Sequence, residues 1–146
     1  MLITDLQAAT LRAQLAGQGE EHQRLLSQLI TREDQEGYSL LLAVGFFEAV
    51  NRRFQPTENV VDHNAVIDFI ANLRARSPEV AERLDPMIAE RMILHALGKG
   101  DIDGIGENTK LSGQILILSG LIADLAPTEA ELDTFMSKIK SMAQGR

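Results

Sequence analysis

The residues of this chain best suited to chemistry are a glycine-rich stretch, three histidines, two adjacent arginines and a single tyrosine. The stretch Gly98-Lys99-Gly100-Asp101-Ile102-Asp103-Gly104-Ile105-Gly106 carries carboxylates at alternate positions, as a calcium loop does. Such a loop also wants an oxygen ligand at its fifth position and a glutamate at its twelfth. Counted from Asp101, those positions hold Ile105 and Ser112; counted so that Gly104 is sixth, the ends are Lys99 and Lys110. Neither register works. Gly98-Lys99-Gly100 also lacks the spacing of a phosphate-binding P-loop and the strand that should lead into it. The expectation is a mobile connection between helices, with Gly98 closing the first of them.

His22, His63 and His95 fall on three different predicted helices, each beside an apolar stripe. A bundle can gather such residues around a metal. None of the three, however, has a second histidine or a carboxylate three or four residues away, where a helix would present it on the same face. Three separate boundary histidines are expected, with no metal and no other cofactor. Arg52 and Arg53, with Tyr38 as further lining and Arg74 and Arg76 as neighbours, are the candidates for ligand binding, because the guanidinium fork matches a carboxylate or phosphate. The plainer role for the arginine pair is to end a helix, complementing its dipole and pairing with Glu48.

Two short predicted helices meet at Asp85-Pro86, an arrangement worth testing as a helix-turn-helix. The junction has no glycine turn, and the second helix offers Glu90 beside Arg91 in place of a basic reading face. The net charge of −7 points the same way, since backbone binding to nucleic acid is driven by Lys and Arg. No basic block suggests an anionic membrane surface. The longest near-apolar run, residues 40–47, is too short to span a bilayer. Cysteine is absent, which removes disulfides and thiolate chemistry. With no basic, apolar leader at residues 1–5, a cytoplasmic location is expected.

The elements that must carry these residues are helices. Aromatic residues are 4% of the chain and Trp is absent, so the core is built from Leu, Ile, Val, Ala and Met, a set that suits helix packed on helix. Thr4 with Gln7 predicts a capping box opening a helix that buries Leu6, Ala9, Leu11, Ala13 and Leu15 and stops at Gly17. A second helix is expected over 20–32, with the polar run 33–37 as a turn or kink. A third, over 38–54, is apolar all round from 40 to 47 and should be the inner element, with Gly45 at a tight crossing. Gln55-Pro56-Thr57 breaks the chain before a helix over 61–75. Ser77-Pro78 and Asp85-Pro86 each predict a helix start. Asn108 or Thr109 should cap a helix ending at Leu125, with Gly113 and Gly120 in a seam of small residues. Thr128 and Glu131 form a capping box for the last helix.

These features predict an all-α single domain over 1–146, a bundle of six to seven helices in irregular or orthogonal packing. No motif carries a resemblance to a known family. The expected function is a non-enzymatic protein-interaction or regulatory module, and a homodimer is the expected assembly. Phe135, Met136, Ile139 and Met142, on the apolar face of the last helix, are the candidate contact residues. The alternative is a small-molecule binder or enzyme with a pocket between helices, lined by Tyr38, Arg52 and Arg53. A deep polar cavity would favour the second and an exposed apolar patch the first.

Overall fold

The computed structural model describes residues 2–55 and 61–145. Among them the chain is entirely helical, with eight helices where six to seven were expected: α1 (Asp5–Leu15), α2 (Gly19–Leu26), α3 (Arg32–Phe54), α4 (His63–Arg74), α5 (Pro78–Arg83), α6 (Pro86–Ala96), α7 (Glu107–Leu125) and α8 (Glu129–Gln144). The six-residue α5, delimited by the prolines at 78 and 86, is the short helix expected there, and counting it as an element of its own brings the number to eight. Pro56 and Thr57, expected to break the chain, lie outside the described residues. No helix is long and apolar enough to cross a membrane among the described residues.

Local chemistry explains most of the boundaries. Thr4 and Gln7 form the expected capping box on α1, and Thr128 and Glu131 form the other on α8. Ser77 and Asp85 accept N–H bonds at the starts of α5 and α6, each followed by proline at the first helical position. The polar run 33–37 is not a turn. It forms the first turns of α3, where Thr31 Oγ1 accepts the Asp34 N–H and Glu33 and Asp34 complement the dipole. Arg32 pairs with Glu36 one turn on. α7 likewise starts ahead of Asn108, at Glu107.

The described residues form two units, residues 1–45 with 122–146, and residues 46–121. In the first, α1 packs against α2 and α8. Its buried side of α1 departs from the expected stripe: Ala9 is exposed, whereas the polar Gln7 and Thr10 are buried beside Leu11, Ala13 and Leu15. Gln7 can be buried because both ends of its amide are hydrogen-bonded. Its Oε1 accepts from Thr4 N–H, and its Nε2 donates to the Asp34 carbonyl of α3. Gly37 passes directly over that amide, so close that a Cβ would lie 2.3 Å from Gln7 Nε2.

In the second unit α4 packs on α5 and α6. Phe54 and Phe69 meet edge to face at 5.7 Å. Arg74 reaches from α4 to end α5, its Nε donating to the Leu84 carbonyl and its Nη2 to that of Ala81. Asn51 Nδ2 donates to the carbonyl of Ala96 at the end of α6. The small-residue seam of α7 admits its neighbours closely: a Cβ on Gly120 would lie 2.8 Å from Leu73, and one on Gly113 would lie 2.7 Å from Met92 Sδ. Gly45 is buried, as expected, while Phe47 at the end of the apolar run of α3 is exposed.

Candidate functional site

Tyr38 lies in the first unit and Arg52 and Arg53 in the second. Tyr38 is 8% exposed, and its hydroxyl meets no hydrogen-bond partner. Burial pushes its ionisation up to about 12, so the phenol stays protonated through the neutral range. Arg52 and Arg53 are exposed at the end of α3. Arg52 donates to Glu48 one turn back, at 2.5 Å. Arg53 lies over the rings of Phe54 and Phe69, 5.8 and 5.5 Å from their centroids. The pair therefore engages its own helix and the neighbouring aromatic rings.

The apolar face of α8 is turned inward. Phe135, Met136 and Ile139 are buried with Leu132 and Ala143, and Met142 is half-buried. Polar contacts fasten the helix to α1 along its length. Arg12 pairs with Asp133 at 2.7 Å, Lys140 with Asp5 at 3.2 Å, and the Ile3 N–H donates to Gln144 Oε1.

A groove of about 380 Å³ opens where the end of α1 meets the α7–α8 connection. Leu15, Ala16, Ile122, Ala126 and Leu132 supply apolar walls, and Arg12, Gln18 and Glu129 the polar ones. Neither this groove nor a shallower depression over residues 18–24 involves Tyr38, Arg52 or Arg53. The Arg12 guanidinium in the groove is already occupied by Asp133.

The glycine-rich stretch is the connection between α6 and α7, and it carries side-chain contacts of its own. Gly98 does close α6 in the left-handed conformation, with φ at 76°. Beyond it, Arg91 Nη2 holds both the Asp101 carboxylate, at 3.1 Å, and the Asp103 carbonyl, at 2.8 Å. His95 Nδ1 donates to the Gly100 carbonyl. The carboxylate that seemed to recommend a cation is thus bound to an arginine of the same chain. Among the described residues no cluster of histidine or carboxylate side chains could hold a metal.

His22 is buried in the first unit, its Nδ1–H donating to the Thr10 carbonyl at 2.8 Å, while His63 and His95 are exposed in the second. The chain matches no family model, no curated protein and no solved structure. Any functional reading therefore rests on its own surfaces. The polar residues that tie the chain to itself, Gln7, Arg74 and Arg91, carried no periodic signal for those contacts in the sequence. Their partners are backbone carbonyls 27, 10 and 12 residues away, for Gln7–Asp34, Arg74–Leu84 and Arg91–Asp103 respectively.

Proposed function

We propose that the chain is a non-enzymatic helical interaction or regulatory module whose partner is a second copy of itself. The observation that supports this reading is the amount of large apolar side chain left in solvent: Ile30 is 78% exposed, Met87 73% and Leu125 61%, with Leu26 also exposed four residues before Ile30. Single exposed residues of this kind are ordinary on a monomer. Leu26 ends α2 and Ile30 lies four residues beyond it in the connection to α3, so the two leave apolar side chains in solvent on the same short stretch of chain, the kind of surface a partner can cover. The absence of cysteine, which small secreted domains commonly use for disulfides, supports a cytoplasmic setting.

The second reading, a small-molecule binder, is favoured by the groove beside α1. Its volume suits a small ligand, but its one guanidinium is already paired, leaving few groups to orient a guest. Light scattering across a dilution series separates the two. The expected result is a dimer mass at high micromolar concentration, falling to monomer on dilution. Monomer mass throughout rejects self-association and moves the weight to the groove.

A further inference from the structure

Ala126 has a backbone φ of 46°, the one positive value at a residue other than glycine among the described residues. Alanine enters that left-handed region against its own Cβ. The next residue is Pro127, whose ring restricts the residue before it to extended conformations. Two local preferences are therefore overridden where the chain turns from α7 into α8 through only Ala126, Pro127 and Thr128. What the turn achieves is the seating of α8. Its apolar face is buried, and Asp133, Lys140 and Gln144 engage Arg12, Asp5 and Ile3 at the side of α1.

We propose that α8 exchanges between two copies of the chain. In the exchanged dimer the connection opens at Ala126, and each α8 takes the same seat on its partner's α1. This inference rests on the self-association proposed above and specifies how it occurs. Every contact between α8 and α1 is then made again in trans by identical residues, so those contacts favour neither form. The difference lies in the hinge, where an extended Ala126 satisfies both its own preference and that of Pro127. A short hinge under strain is the feature that invites exchange. The burial of Phe135, Met136 and Ile139 adds a separate reason. The face the sequence marks for contact is already covered, so it can meet a partner only by leaving its seat.

The test uses the Lys140–Asp5 pair as its reporter. Equal amounts of ¹⁵N-labelled and unlabelled full-length chain are unfolded together and refolded at high concentration, and monomer and dimer are separated by size. A carbodiimide then condenses the Lys140 ammonium with the Asp5 carboxylate to an amide, taking up the water lost as a urea. Linked peptides are read by mass. Exchange predicts mixed-label pairs in the dimer and single-label pairs alone in the monomer. A dimer giving only single-label pairs overturns exchange while leaving self-association standing; no dimer at all overturns both. The variant Ala126→Gly relaxes the closed hinge by roughly ten-fold in each chain, and because the dimer opens two hinges it should be weakened by roughly a hundred-fold. An unchanged dissociation constant would reject the hinge as the driving element.

Discussion

Gly37 and Gly113 both sit inside helices where a Cβ would meet a neighbour too closely, yet their neighbours differ in freedom. At Gly37 the obstacle is the Gln7 amide, tied at one end to Thr4 and at the other to Asp34. At Gly113 it is the thioether end of Met92, a side chain that can swing aside. Gly37→Ala should therefore cost about 1–3 kcal/mol despite its better helix propensity. Gly113→Ala should gain up to about 1 kcal/mol from the same propensity. Thermal melts of the two variants decide it, and equal shifts would contradict this account. Tyr38 offers a second residue-scale prediction. Its phenol ionises near 10 in the unfolded chain and at about 12 when folded. Stability is thus fully present below about pH 10 and declines as the pH rises toward 12, by roughly 2–3 kcal/mol. As the only tyrosine in a chain without tryptophan, it can be followed by phenolate absorbance alone. Tyr38→Phe should abolish that alkaline loss and leave neutral-pH stability equal or up to about 1 kcal/mol higher, since the hydroxyl it deletes is buried without a partner.

At the scale of elements, α5 is the informative case. Six residues are too few to hold a helix by propensity, and none of its side chains is buried. Ser77 and Pro78 start it, and the Arg74 guanidinium ends it by binding two carbonyls at once. Arg74→Lys keeps the charge but not the fork. It should destabilise the fold by about 1–2 kcal/mol in a denaturant melt, and full retention of stability would show that the charge alone suffices. Starts of this kind were legible because caps and prolines act within four residues. The beginning of α3 was not, because the run from Glu33 to Gly37 has no apolar residue from which a period could be read. The buried side of α1 was misread for a related reason. Gln7 and Thr10 are tolerated inside through bonds to the backbone, which hydrophobic spacing cannot register.

For the whole molecule, charge is the property that bears on assembly. Each chain carries a net −7, so a pair brings together twice that. The ion pairs of α8 recur unchanged in the exchanged form and drop out of the comparison. Salt therefore acts on the general repulsion, which fades as the screening length falls from about 10 Å at 0.1 M to about 3 Å at 1 M. Dimerisation should tighten several-fold over that range by sedimentation; weakening would indicate an interface held by opposite charges. The candidate residues were less readable than the fold. Phe135, Met136 and Ile139 were identifiable as a face needing cover, but a stripe does not say whether the cover comes from the same chain. Arg52 and Arg53 were visible as cations, while the rings beneath Arg53 come partly from α4 and could not be read from the pair itself.

The grip of Arg91 on Asp101 and Asp103 also bears on how the chain survives proteolysis. A protease must draw a stretch of backbone into its cleft, and exposed connections of small and polar residues are where that is easiest. Here the segment is bound at 101 and 103 by one guanidinium and at 100 by His95. Its freedom to be drawn out is set by a side chain on the preceding helix. Arg91→Ala should turn residues 99–104 into the first site of limited digestion, with the two fragments remaining associated until denatured.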